Sequence, residues 1–194
     1  CKIMDSSIVL IVLLVGAFVT YLSGNKFAPK IALVSSIAAF GVTLLNLNAY
    51  QAGENLDVNV PWITQLNINF ALHVDGLSLV MLLLTTGLLP LIILSGFITK
   101  FENSRSIYAL MLFMGFAMAG TFLASDGILY YIFWEIALIP IYFIALNWGN
   151  GDLEERKKAI LKFFIYTFAG SLFMLLAFIY LYTKGGSFDI NKLY

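Results

Sequence analysis

The chain has 194 residues, of which 61% are hydrophobic, 15% aromatic and only 11% charged, and its formal net charge is zero. Its mean hydropathy of +0.92 sets it apart from soluble domains, which are about half apolar and about a quarter charged. This excludes a soluble enzyme domain and a basic nucleic-acid surface, and the single cysteine, Cys1, excludes an internal disulfide or a CxxC centre.

Apolar runs fall at 8–22, 31–47, 77–98, 107–124, 128–148 and 159–182, each near the ~20 residues that cross a bilayer as a helix. The first is short and is expected to extend back through Ile3–Met4. It resembles a signal sequence, but Asn25, Lys26 and Lys30 follow it where a small-residue cleavage pattern would stand. Strand-type alternation is absent from these runs, which argues against a membrane β-barrel. The fold class expected is all-α, a polytopic membrane bundle of about six transmembrane helices forming one domain over 1–194. The 48–76 segment, with Pro61-Trp62 and several Asn and Asp, reads as an outer loop carrying a hairpin or interfacial turn, and Trp62 as a headgroup anchor. Gly115-x-x-x-Ala119 and Ala169-Gly170-Ser171 offer faces for close helix packing.

Charge sets the expected orientation. Lys26, Lys30, Lys100, Arg105, Arg156, Lys157 and Lys158 occupy the odd-to-even connections. The other connections carry Glu54, Asp57, Asp75 and Asp126 and no Lys or Arg. The positive-inside rule turns the first set to the cytoplasm and the N-terminus to the outer side. Lys2, Lys184 and Lys192 fall outside this pattern.

Glu135 is an acid within an otherwise uncharged span, Ile128 to Trp148. A charge at a helix centre costs about 2.5–3.5 kcal/mol on insertion scales, and intramembrane carboxyls default to pathways, ion sites or pairs. Tyr131, Leu138 and Tyr142 share its helical face. Pro140 has no N–H and so leaves the Ile136 carbonyl free, one residue from the acid. That carbonyl is a place for an ordered water, and proton transfer needs water. The competing reading is a neutral or statically paired structural carboxyl.

Lys162 is the one lysine drawn into a span, and for it snorkelling to the headgroups and a functional role both stand open. Its expected level, toward the inner end of its helix, makes a direct pair with Glu135 unlikely on length alone. Asp75 reads as the N-cap of the third span and Asp126 as a cap at the turn before the fifth. His73 cannot form a metal site alone. Glu154 to Lys158 read as a solvated loop cluster leading into the sixth span. HExxH, a phosphate-binding glycine loop, an intramembrane histidine and a cysteine cluster are all absent from the sequence.

Several motifs in order then carry a resemblance. Asp75-Gly-Leu-Ser78, Thr85-Thr86 with Leu89-Pro90-Leu91, Phe133-Trp134-Glu135, Leu138-Ile139-Pro140-x-Tyr142-Phe143, Trp148-Gly149 and Lys162-Phe-Phe-Ile-Tyr166-Thr167 with Gly170-Ser171 are similar to the subunit M (subunit 4) family of NADH–quinone oxidoreductase, respiratory complex I. The resemblance covers residues 70 to 182. It implies an antiporter-like fold of about fourteen spans, of which this chain would be the N-terminal part. It also implies that Glu135 is the fifth-span glutamate of proton translocation and Lys162 the sixth-span lysine. Channel lysines and a second acid of the family lie in later spans, so a truncated sequence or a split gene is expected. NADH, FMN, iron–sulfur clusters and quinone would belong to other subunits, with none in this chain. The antiporter-like chains L and N would be neighbours, and the setting a bacterial inner membrane.

The expected function is therefore proton translocation coupled to NADH oxidation and quinone reduction elsewhere in the complex. Glu135 takes and releases a proton while a nearby cation moves, and Tyr131, Tyr142 and water near Ile136 form the local wire. The rivals are a subunit of a multisubunit Na⁺/H⁺ antiporter or membrane-bound hydrogenase, and a membrane scaffold piece with Glu135 in a static ion pair.

Overall fold

Six helices and one hairpin follow from the apolar runs, in the order α1 (Ser7–Leu22), α2 (Ala28–Gln51), β1 (Val58–Ile63), β2 (Ile68–Leu72), α3 (Gly76–Ser95), α4 (Ser104–Leu123), α5 (Gly127–Trp148) and α6 (Leu153–Gly185). The structure is a computed structural model that describes residues 5–99 and 101–190. The proposed extension through Ile3–Met4, together with Cys1, Lys2, Lys100 and Lys192, lies outside the described residues. Helices α2 to α6 are each long and apolar enough to cross a membrane, and α1 is a shorter apolar helix.

Three boundaries differ from the sequence reading. Helix α6 begins at Leu153, so Glu154 to Lys158 form its first turns and are not a loop. Acids in a first turn suit the helix dipole; Lys157 Nζ also donates to Glu154 Oε1 at 2.9 Å. Helix α2 runs past 47 to Gln51, because polar residues at a membrane boundary do not end a helix that hydropathy alone would end. Helix α3 stops at Ser95 and not at 98. A Cβ on Gly96 would stand 2.8 Å from the Tyr108 hydroxyl, so α4 closes on the chain at that point.

Helices α1 to α4 form a bundle in which α4 also supports α5, and α6 packs chiefly on α5. Helix α4 is the most buried span and α6 the least. Small residues set the close approaches, as expected where lipid removes the hydrophobic drive between helices. A Cβ on Gly115 would lie 2.9 Å from Leu89 Cδ2, and one on Gly16 would lie 2.6 Å from Ser35 Cβ. Ala32, Ala39, Ala117 and Ala119 are fully buried. Most polar core groups are hydroxyls, several bonded to their own helices, with Asn46 and Asp126 the amide and the acid among them; Thr86 also donates to Thr43 Oγ1 at 3.2 Å, linking α3 to α2.

The 48–76 loop does carry a hairpin. Strands β1 and β2 are antiparallel, with the register shifting between Pro61 and Ile63 and Asn67 left-handed (φ 52°) after a 3-10 turn at Thr64–Leu66. Proline fits here because β1 is an edge strand. The backbone past β2 is held by the α4–α5 turn, where His73 N–H donates to Leu123 O (2.8 Å) and Ser125 N–H to Ala71 O (2.9 Å). The segment after α6 joins the same turn, with Gly127 N–H donating to Phe188 O at 2.8 Å and Ile190 N–H to Ser125 O at 3.0 Å. Trp62 is exposed on β1.

Candidate functional site

Helix α5 is fixed at its start by Asp126. One carboxylate oxygen accepts the Ile128 (2.9 Å) and Leu129 (3.3 Å) N–H groups, and the other accepts Asn69 N–H from the hairpin at 3.2 Å. Asp126 is only 1% exposed, so this cap also locks α5 to β2. About two turns further, buried Phe133 occupies the space that Gly120 leaves on α4 and meets the Phe116 ring edge-on at 5.5 Å. At the other end, Arg156 Nη1 donates to the Leu146 carbonyl at 3.0 Å, where a cation complements the helix C-terminus.

Between these anchors stands Glu135, half-buried. Its Oε1 is enclosed and has no hydrogen-bond partner among the described residues. Tyr131 lies one turn earlier, with its phenol in electrostatic reach of both the Glu135 carboxyl and the Ser171 hydroxyl of α6. Ser171 is 5% exposed, one of two buried residues on an otherwise uncovered helix, and its hydroxyl donates to Phe168 O at 2.8 Å. The site is thus a carboxyl, a phenol and a hydroxyl meeting at the α5/α6 contact. Pro140 is buried and leaves the neighbouring Ile136 carbonyl without a helical donor.

Tyr142 shares the acid's stripe but not its surroundings. Its ring packs edge-on against Phe164 at 5.8 Å and Phe143 at 5.5 Å, about two turns or ~10 Å along the helix from Glu135. Lys162 is exposed. The Tyr142–Phe164 and Tyr130–Phe178 ring contacts set the α5/α6 register, which places Lys162 near the level of Tyr142, again ~10 Å or more from the acid. No ion pair joins the two among the described residues.

Asp75 forms a reciprocal cap on α3. Its carboxylate accepts Ser78 N–H at 2.6 Å, and Ser78 Oγ accepts Asp75 N–H at 2.8 Å. The Ser78 amide holds the Asp75 carboxyl below its usual range, with a smaller contribution from His73. His73 Nδ1 stands 3.0 Å from Asp57 Oδ2, and Asp57 Oδ1 accepts Val74 N–H at 3.1 Å. Among the described residues no group of three or more His, Cys, Asp and Glu could hold a metal ion.

Sequence reasoning missed the two contributions from α6. Ser171 was read as packing and Arg156 as loop charge. The available signals were a small hydroxyl amid bulky residues, and a cation soon after the end of an apolar helix.

A bundle of helices long and apolar enough to cross a membrane, with an acid inside the fifth, places the chain among polytopic membrane proteins. The chain belongs to the family of NADH:quinone oxidoreductase and Mrp antiporter membrane subunits, whose transmembrane region matches residues 124–194. Within that family it is similar to M and chain 4 subunits. It is 35% identical to F(420)H(2) dehydrogenase subunit M of Methanosarcina mazei over 97% of this chain and 39% of that protein. It is 34% identical to NADH-quinone oxidoreductase subunit M of Rhodobacter capsulatus, over 88% of this chain and 33% of that one. The chain therefore spans well under half the length of these relatives. The fold is that of a chain of respiratory complex I from Thermus thermophilus (TM-score 0.82, 24% identity, covering 97% of this chain and 38% of that one). A chain of the Mrp complex from Dietzia has it too (TM-score 0.82, 18% identity, covering 97% and 20%).

Proposed function

We propose that this chain forms part of a proton-translocating membrane-arm subunit, in a complex that couples NADH oxidation and quinone reduction on other subunits to proton movement. The observation that carries this is the Glu135 carboxyl, held inside a membrane span with Oε1 enclosed and without a partner among the described residues, beside Tyr131, which in turn reaches Ser171. A carboxyl saturated by backbone donors is a poor acceptor for a mobile proton. One with a free oxygen has a lone pair ready.

Burial disfavours a carboxylate and a nearby cation favours it. Approach of a cation releases the proton from such a carboxyl, and withdrawal takes one up. In this reading the O–H bond forms on a Glu135 oxygen as the donor's O–H breaks, then breaks as the next acceptor is protonated. Tyr131 and Ser171 supply hydroxyls on the α6 side, and the free Ile136 carbonyl orients water on the other. Tyr142 and Lys162, set apart from the acid, act later on the path. The donor, flavin, iron–sulfur and quinone sites belong to other subunits in this proposal. Chains like L and N are the expected neighbours, in a bacterial inner membrane with the N-terminus outside. A dehydrogenase using F420H2 is the alternative donor reading, favoured by the M. mazei relative that aligns along 97% of this chain.

The test is Glu135→Gln in the full-length subunit, with NADH- and F420H2-driven proton uptake measured in inverted vesicles and assembly checked on a native gel. Lost uptake in an assembled complex is expected. Full uptake in the variant refutes the proton role and leaves Glu135 a structural acid. The second reading, an Na⁺/H⁺ antiporter subunit, is favoured by the Mrp antiporter named in the family description. It predicts donor-independent Na⁺/H⁺ exchange in the same vesicles.

A further inference from the structure

One inter-helical slot is left open where others are filled. Gly16, Gly115 and Gly120 are each closed over by a side chain of the facing helix. On the α1/α4/α5 side, by contrast, a groove of about 410 Å³ runs over the small floor of Ala17 and Ala109 between aromatic walls that include Phe18, Phe113 and Phe143. The volume is that of a small-molecule site, and the walls accept only an apolar occupant along most of their length.

The groove is polar at one end. There Tyr21, Ser106, Asn147 and Trp148 line it, and α1 ends, α4 begins and α5 ends at the same level, which is where a headgroup region falls. The Trp148 indole N–H is already used by the Glu102 carbonyl at 2.9 Å. The Arg105 guanidinium stands over the Tyr21 ring, 5.8 Å from its centroid. The backbone N–H of Arg105 is tied to Asn25 Oδ1 at 3.3 Å, so the α1–α2 turn, with exposed Lys26 and Lys30, sits beside the same rim. The α1–α2 turn and the α3–α4 connection with the start of α4 carry Lys26, Lys30 and Arg105 against Glu102 at this rim.

We infer that this groove binds one chain of an anionic phospholipid, with its phosphate at Arg105. A neutral isoprenoid such as a quinone would fit the walls but leave the cationic rim without a counter-charge, and an anionic headgroup supplies it. This inference does not rest on the proton role of Glu135.

The test uses the full-length subunit in its complex, reconstituted in vesicles containing tracer phosphatidylglycerol or phosphatidylcholine with a diazirine on the acyl chain. After irradiation, labelled peptides are mapped by mass spectrometry. Phosphatidylglycerol is expected to label Phe113 and Phe143 about fivefold more than phosphatidylcholine does, the factor that one cation contributes near anionic lipid. Arg105→Gln should remove that preference and Arg105→Lys keep most of it, with assembly unchanged on a native gel because Arg105 is exposed. Equal labelling by both lipids with no effect of Arg105→Gln overturns the inference. So does displacement of the label by excess quinone. An unlabelled groove, with other lipid-facing positions labelled, means that protein covers it and also overturns the inference.

Discussion

Gly120→Ala tests the link between α4 packing and the position of Glu135. A Cβ at residue 120 would stand 2.6 Å from Phe133 Cγ and closer still to Cδ1 and Cε1. Carbon atoms settle at about 3.5–4.0 Å, so the overlap is about 1 Å with a ring, not with the tip of a flexible chain. Phe133 has little room to yield, being 5% exposed and braced by Phe116. Overpacking of this kind costs about 1–3 kcal/mol, and the relief available is a shift of α5, which carries Glu135 two residues further on, on its other face. The expected result is a thermal midpoint several degrees lower, together with reduced proton uptake.

The control is the double variant Gly120→Ala/Phe133→Leu. Leucine vacates ring volume, so the pair should be less damaging than the sum of its singles by about 1 kcal/mol or more, the signature of contact. Thermal unfolding of the purified full-length subunit in detergent measures all three. If Gly120→Ala matches wild type, or the singles add within about 0.5 kcal/mol, the α4/α5 fit is not what positions the acid.

Asp126→Ala removes a cap and orphans the part-buried Asn69 N–H; about 1–3 kcal/mol should be lost, from the cap and the unpaired donor, with Asp126→Asn retaining part, as read by thermal unfolding. Asn46→Leu should stabilise the bundle by about 1–3 kcal/mol, because both amide atoms are buried without partners among the described residues; a lower midpoint would mean that the amide is satisfied in the membrane. Asp75 titrates below the usual 3.8 when folded, so its stabilisation of α3 is fully present above that value and is lost as pH falls through the folded value. Protection of the Leu77–Leu79 amides, as exchange relative to the intrinsic rate at each pH, should therefore fall below about pH 4 in wild type and show no such step in Asp75→Asn.

The spans were legible because a 20-residue apolar run has one outcome in a bilayer. The caps at Asp75 and Asp126 were legible because a carboxylate just before an apolar helix has a local use that needs no knowledge of tertiary structure. The hairpin was only half legible, since its far side is held by residues 123–125 and 188–190, contacts that the loop's own sequence does not encode. The ends of α2 and α6 ran past their apolar cores because hydropathy reports membrane depth, not backbone hydrogen bonding. At the site, Glu135 and Tyr131 share a helix, so period 3.6 brings them together on paper. Tyr142 belongs to the same stripe but is claimed by Phe164, and Ser171 joins from a second helix through a register that no single-helix pattern reveals.

The acids of this chain also sort by how they are held. Asp75 and Asp126 accept backbone N–H groups that cannot move without unwinding a helix, and Asp57 is committed to Val74 N–H and His73. Those carboxylates are held in place by the fold. Glu135 meets Tyr131, on a contact with α6 where Ser171 is one of two buried residues, and one of its oxygens has no partner among the described residues. Side chains change rotamer and helix contacts slide at far lower cost than a helix start unwinds, so Glu135 can exchange partners without loss of fold. That mobility distinguishes an acid able to pass a proton from one that holds a bundle together. It predicts that Glu135→Gln disturbs stability much less than Asp126→Asn does, although the two changes remove the same charge.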